Sequence, residues 1–551
     1  MNQNLRMSLT IFLCATIYFV WLSWFAPKPV PQLAQTTQTA TNSANAPAQT
    51  LVANSTESAA KSDEAETQAA PKEIVLENTK AQFTLTTEGA KFVSAEFADF
   101  HTTADTSSPH KNILTMTPDS NALYLGVENL GSLTDKKVYE VISQDNNKVV
   151  LQWQNSKVRI QKTFSLPANS SDYAIQASYQ ITNLSDEMLD LTPYWQNQVT
   201  QKSIEKKTGI IGFLASSSTQ AEEFLPNYFK DKSIVTHHDW TNLKTLDEQA
   251  LWAGITDRYF LIALSSLPAQ IQSHKTQYMR DGEILKLKIF ADKQSLAPGA
   301  TTQGEAISYM GPRKPSELKL LGAGFEKAVD YGWFGILAMP ILWLMQTIHS
   351  VLPSWGLAII LLTFIVKILL HPVNKKSMTS MKAMQQLQPK LEEIRKKYPE
   401  DKMKQNEEVM QLFKTHKVNP LGGCLPMLMQ MPIYFALYRV LWNAIELYHT
   451  PFLHYKDLSG PDPYFIAPII MGVFMFLQQQ LTPNPSTDPV QKKMMMFMPI
   501  MFTGIMLFLP VGLVIYICVN TSMSVLQQYL MRKDLTLREL IFGKKLSTAV
   551  Q

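Results

Sequence analysis

The 551-residue chain holds only three cysteines, Cys14, Cys424 and Cys518, and none lies between Phe25 and Ser350. No disulfide framework can hold that long stretch, so it must fold on its own apolar core. Acidic residues are missing from every long apolar run, and Lys367 and Arg439 are the only cations inside one. That pattern argues against a small-solute transporter, which uses intramembrane carboxylates and repeated halves. Also absent are a GxSxG elbow, an HExxH pair, a phosphate loop and paired-cysteine zinc spacing, so the sequence offers no catalytic, nucleotide or zinc signature. The adjacent His237, His238 and Asp239 are a weak metal signal, because neighbouring residues of a strand point to opposite faces. No cofactor or metal is expected.

The apolar runs themselves carry the architecture. Six approach the roughly 20 residues needed to cross a hydrocarbon core: Met7 to Phe25, Leu352 to Leu370, Leu421 to Ile445, Tyr464 to Leu481, Met494 to Leu509 and Val511 to Leu530. The first lacks a small-residue cleavage site and reads as a retained signal anchor. Lysines and arginines crowd the segment from Pro372 to Asn419 and the tail after Leu530, which places both in the cytoplasm. Both termini are then inside and the region from Pro27 to Ser350 is outside. Trp333 to Val351 is almost long enough for a seventh span, but its aromatic residues and interrupting Pro340, Gln346 and His349 suit a helix at the headgroup level.

The expected fold is therefore a polytopic α-helical membrane protein of six spans with a large all-β external domain. Residues 1–26 form the anchor and 27–71, rich in Gln, Thr, Ala, Ser and Pro, a flexible tether. Residues 72–324 alternate apolar and polar in short runs at Ala81, Lys91, Lys148, Val158, Tyr173 and Glu283, the pattern of an antiparallel β-sandwich. An interfacial amphipathic helix (325–351) precedes the spans at 352–371, 420–446, 464–481, 494–509 and 511–530. Between them lie a basic helical hairpin (372–419), an external loop (447–463) and an internal loop (482–493), with a basic tail at 531–551. The hairpin residues Lys375, Lys376, Lys382, Arg395, Lys396 and Lys397 either satisfy topology or dock ribosomal RNA, anionic lipid or the acidic surface of a targeting factor.

A charge at mid-bilayer costs about 2.5 to 3.5 kcal/mol on insertion scales, so Lys367 needs a reason to persist. One reason is snorkelling toward the cytoplasmic headgroups. The other is a wet cavity inside the bundle. Thr363 lies one turn earlier on the same face, and Gln430, Thr503, Asn520, Ser522 and Ser524 are further polar residues within spans that could line such a groove. Ordinary interhelical hydrogen bonding accounts for any one of them, and only the set favours a cavity. Methionines, Met431 among them, suit a surface that accommodates varied apolar sequences.

Several long motifs occur in order: DYGWFGILAMPILWLMQTIHSVLPSWGLAIILLTFIVK from Asp330, NPLGGCLPMLMQMPIYFALY from Asn419, DPYFIAPIIMGVFMF from Asp462, then MPIMFT and GLVIYICVN. In these the chain resembles the YidC-type membrane protein insertases of Gram-negative bacteria, within the Oxa/Alb superfamily. The resemblance implies a five-helix insertase core, a positively charged groove open to cytoplasm and lipid, and a periplasmic β-supersandwich. It implies no enzymatic activity. Implied partners are nascent membrane proteins, the Sec translocon and its accessory subunits, the ribosome with the signal-recognition machinery, and the lipid bilayer. The family's groove arginine maps onto Lys367, and its tyrosine pair on the last helix onto Tyr516 and Ile517. With Met431, these two form the expected substrate-contacting wall. A membrane-tethered carbohydrate enzyme using the sandwich is the rival expectation, and fold alone does not supply its site.

Overall fold

The computed structural model describes residues 70–114, 120–128, 137–200, 212–216, 221–224, 244–267, 274–281, 284–416, 418, 425–481 and 489–532. The expected anchor, nearly all of the tether, the His237, His238 and Asp239 cluster, most of the internal loop and the tail beyond residue 532 lie outside the described residues.

Alternation builds the β domain. In Ala81–Thr86 the side chains of Ala81, Phe83 and Leu85 are buried while Gln82, Thr84 and Thr86 face outward, as a period of two requires. One antiparallel sheet runs Glu73–Glu77, Ala81–Thr86, Lys91–His101, Asn121–Val127, Pro193–Thr200, Ile284–Phe290, His274–Asp281 and Lys244–Ala250, with His110–Asn112 paired beside Lys91–His101. The other runs Ala221–Phe224, Gly212–Ser216, Trp252–Thr256, Phe260–Leu267, Thr301–Pro312, Ala174–Asn183, Val158–Ser165, Lys148–Gln154 and Glu140–Asp145. Their inner faces meet through aromatic contacts, Phe92 on Phe164 at 5.1 Å, Trp195 on Tyr179 at 5.9 Å and Phe97 on Phe260 at 5.7 Å. This is the expected β-sandwich.

Backbone approach is tightest at Gly254, in the strand Trp252–Thr256. A Cβ there would lie 2.9 Å from the Ile262 carbonyl oxygen, the Ala263 Cβ and a Leu261 methyl of the adjoining strand. Backbone cannot yield as a side chain can, so Gly254→Val is expected to destabilise the sandwich by about 1 to 3 kcal/mol. A lowered thermal midpoint with unchanged strand content before melting is the readout.

The helices follow the sandwich. A short helix, α1 (Pro315–Lys319), and a 3-10 turn (Phe325–Ala328) lead to α2 (Gly335–Val351). One face of α2 buries Ala338, Leu342, Met345 and Ile348 against α3 (Trp355–Gln386) and α6 (Leu425–Asn443), while Ile336, Met339, Trp343 and Val351 remain exposed. Between α3 and α6 stand α4 (Gln388–Lys397) and α5 (Lys402–Thr415), and after α6 come α7 (Ile466–Leu481), α8 (Pro489–Met506) and α9 (Val511–Arg532). The last of these packs on α7, α3 and α6. By length and composition α3 and α9 contain segments able to cross a membrane, Trp355–Met384 and Val511–Leu530, and Gly335–Val351, Ile466–Leu481 and Met496–Met506 are shorter apolar helices.

One helix boundary differs from the sequence reading. The helix of the Lys367 run does not end before the hairpin but continues through Pro372 to Gln386, and the break comes at Leu387. Proline removes one backbone hydrogen bond and tolerates a continuing helix when the neighbouring turns hold it. In the loop between α6 and α7, Asp462 is the organiser: buried, it accepts bonds from the amides of Tyr464 (2.9 Å) and Ala467 (2.8 Å) and from the Tyr455 hydroxyl (3.1 Å), fixing the start of α7.

Candidate functional site

Helical spacing assembles the site. On α3, Thr363, Lys367, Asn374 and Ser377 follow one another at intervals of four, seven and three, so they form one stripe, and all four are buried. On α9, Tyr516, Asn520 and Ser524 are spaced by four and are likewise buried. The two stripes meet where the Lys367 Nζ donates to Ser524 Oγ at 2.6 Å. Ser524 Oγ in turn donates to the Asn520 carbonyl (2.9 Å), and Asn520 Nδ2 donates to the Tyr434 hydroxyl (2.5 Å) on α6. Gln430, one turn before Tyr434, donates through Nε2 to the Tyr516 hydroxyl at 3.1 Å, and the two tyrosine rings meet edge to face at 5.8 Å. A polar chain thus joins three helices.

That chain is incompletely satisfied by protein. An ammonium has three donors, and among the described residues Ser524 is the one bonded partner of Lys367, with no carboxylate paired to it. Asn520 Oδ1 is buried and without a partner among the described residues. Buried polar atoms of this kind are ordinarily met by ordered water or a bound group. Such an arrangement attracts negative or polar groups.

The other expected residues divide. Thr363 belongs to the stripe, although its hydroxyl donates to its own helix at Ile359 (2.7 Å). Ser522 bonds back to Val519 (2.9 Å) and Thr503 to Pro499 (2.8 Å), and Thr503 packs against Gly472 on the α7 and α8 face, apart from the Lys367 chain. Met431 is exposed beside the buried Gln430, whereas Tyr516 has no exposed surface and Ile517 is half-buried. The tyrosine therefore stands behind the exposed wall, holding Gln430. Tyr434, Asn374 and Ser377 were not singled out from sequence. The signal existed: Tyr434 is four residues from Gln430, and Asn374 and Ser377 continue the face of Lys367.

Of the basic residues expected in the hairpin, Lys375, Lys376 and Lys382 lie on α3 and Arg395, Lys396 and Lys397 on α4; Lys375, Lys382, Lys396 and Lys397 are exposed, Arg395 is half-exposed, and the Lys376 side chain lies outside the described residues. Asp401 caps α5 by accepting from the Lys404 amide at 3.0 Å, and Gln405 reaches the Arg395 carbonyl at 3.4 Å, tying the two arms.

Two family models match, one described as 60Kd inner membrane protein over residues 347–538 and one as YidC periplasmic domain over residues 73–344. Among curated relatives, the membrane protein insertase YidC of Methylobacillus flagellatus is 32% identical, covering 96% of this chain and 97% of its own length. The same-named protein of Mannheimia succiniciproducens is 31% identical over 99% of each. A solved structure described as an active YidC insertase with its first transmembrane domain resolved is 19% identical, covers 83% of this chain and 92% of its own, and has a TM-score of 0.36. The sandwich, the apolar helices and full-length identity to named relatives lead to one conclusion: the chain belongs to the YidC family of membrane protein insertases.

Proposed function

We propose that the chain inserts nascent proteins into the bacterial inner membrane through a hydrated, positively charged groove centred on Lys367, working alone or beside the Sec translocon. The observation that carries this reading is the buried Lys367 ammonium, bonded to one neutral hydroxyl and to no carboxylate among the described residues. A client's acidic or polar flank is drawn toward that charge from the cytoplasm. Its apolar segment meanwhile slides along the exposed surface near Met431 and Ile517, with Tyr516 bracing the wall from behind. Thr363, Gln430, Asn520 and Ser524 line the wet side, and Thr503 and Ser522 lie at its margin. Water and a countercharge reaching partway across lower the cost of carrying polar residues through lipid. Burial of the client's apolar residues then completes release, with no nucleotide consumed.

In this reading six spans place both termini in the cytoplasm and the sandwich in the periplasm. The basic hairpin, through Lys375, Lys376, Lys382, Arg395, Lys396 and Lys397, docks the ribosome or the signal-recognition machinery.

The test is reconstitution of the purified chain in phosphatidylethanolamine and phosphatidylglycerol vesicles, with protease protection of a single-span client as the readout. Clients carrying an acidic translocated tail and an uncharged one are compared. Protection that needs the protein and favours the acidic tail is expected. Equal protection in protein-free vesicles, or indifference to tail charge, would overturn the charged-groove mechanism.

A further inference from the structure

The sandwich touches the helical part at several points, Phe100 on Tyr448 and the His101 carbonyl on His449 among them, and one of these points is a turn held by many hydrogen bonds. Between Trp252–Thr256 and Phe260–Leu267 the chain reverses at Asp257, Arg258 and Tyr259. The buried Asp257 carboxylate accepts from the amides of Tyr259 (2.7 Å) and Phe260 (2.6 Å). The Thr256 hydroxyl reaches the carbonyls of Asp257 (2.8 Å) and Phe260 (3.0 Å). From a third side, Arg313 Nη1 donates to the Asp257 carbonyl at 3.0 Å and Nη2 to the Ala328 carbonyl. Burial raises the Asp257 carboxyl above its ordinary pKa, while the Phe260 and Tyr259 amides, Lys111 and Arg313 draw it back. A turn bonded in this way presents Arg258 in one direction.

What Arg258 meets is the end of α6. Its Nε donates to the Trp442 carbonyl at 2.7 Å, and its guanidinium carbon lies 3.8 Å from the Trp442 ring centroid and 4.6 Å from that of Tyr259. Trp442 is the penultimate residue of α6, so its carbonyl is among those the helix cannot satisfy itself, at the negative end of the helix dipole. Around this contact the Tyr448 ring packs on Tyr259 (5.0 Å), Phe260 (5.5 Å) and Phe100 (6.3 Å), and His449 Nδ1 bonds the His101 carbonyl at 3.2 Å. The helix so held is the one that carries Gln430 and Tyr434, twelve and eight residues back from Trp442, or about 18 and 12 Å along the axis.

From this geometry we infer that Arg258 is a positioning residue for insertion: by capping and stacking on the end of α6 it locks the sandwich to the helices and sets where Gln430 and Tyr434 stand against α9. A guanidinium suits this place better than an ammonium, because its planar fork bonds the carbonyl while its broad, weakly hydrated face lies against two aromatic rings, whereas a lysine ammonium offers a more compact, more strongly hydrated charge to the same partners.

The test uses the full chain with Cys14→Ser, Cys424→Ser and Cys518→Ser, spin-labelled at Lys148 on the sandwich and Ile469 on α7. The distance distribution between labels is measured in vesicles for the wild type, Arg258→Ala and Arg258→Lys, beside the initial insertion rate of the acidic-tailed client. Expected are a broadened distribution and a rate lowered roughly two- to tenfold in Arg258→Ala, with Arg258→Lys between it and the wild type. An unchanged width in Arg258→Ala overturns the lock. A broadened width with an unchanged rate overturns the positioning role. Only the rate measurement rests on the insertase groove, so failure of the groove reading would leave the width result standing. Arg258→Lys keeps charge and stem, and supplies the comparison if the alanine variant does not fold.

Discussion

Replacing Lys367 with alanine is expected to lower insertion of an acidic-tailed client by about ten- to a hundredfold, while Lys367→Arg retains most of it. Lys367 sits on the buried face of α3 with its ammonium on Ser524, and Asn520 Oδ1 close along the same chain lacks a partner among the described residues. Alanine removes the only charge in that chain and leaves the Ser524 hydroxyl bonded to Asn520 alone. A client carboxylate then crosses without a countercharge, and its full transfer cost returns. Arginine keeps the charge and adds a planar fork, which suits a carboxylate at least as well. The uncharged-tail client should respond far less to either variant. If alanine inserts both clients as the wild type does, the Lys367 charge plays no part in insertion and the groove works by hydration alone.

A second large effect is expected in the sandwich. Trp252 is fully buried at the start of its strand, and its ring stacks on Phe325 of the 3-10 turn with centroids 4.9 Å apart and planes 12° from parallel. Phe325 itself has no exposed surface. Trp252→Ala should therefore cost about 3 to 5 kcal/mol, from lost burial and the cavity left behind. In a domain of this size that lowers the thermal midpoint by roughly 10 °C, read by near-ultraviolet circular dichroism of the purified chain. Trp252→Phe keeps the stack and should lose much less. A shift in the alanine variant no larger than in the phenylalanine one would mean that the site collapses around the loss. Because Phe325 lies in the short connecting turns that precede α2, the same pair also fixes where the sandwich hands over to the helices.

Much of the sandwich was legible in the sequence. The alternating runs at Ala81, Lys91, Lys148 and Val158 coincide with strands that begin at those residues, since each strand buries one face and period two follows from the pleat. Helix existence was legible for the same reason, as apolar runs must be satisfied somewhere. Helix ends were less so. The continuation of α3 through Pro372 depends on tertiary support for the turn that proline weakens, which local preference cannot report.

The candidate site was legible as a list and not as an arrangement. A lone lysine in an apolar run is visible because its cost is local, and so are Gln430, Asn520 and Ser524 as polar residues within such runs. Which of them meet is decided by how α3, α6 and α9 are rotated about their axes. That rotation brings Ser524 to Lys367 and Tyr434 to Asn520 and buries Tyr516, while the packing of α7 on α8 sets Thr503 against Gly472. Likewise Arg258 is an ordinary surface arginine in the sequence and becomes the cap of α6 only when the sandwich is docked. By itself the sequence determined family, strand and helix content and the cost of a charge at Lys367, because those rest on periodicity and on the cost of burying each residue. Only the tertiary structure decided which polar groups pair and which remain open, because pairing depends on distances between residues far apart in the chain.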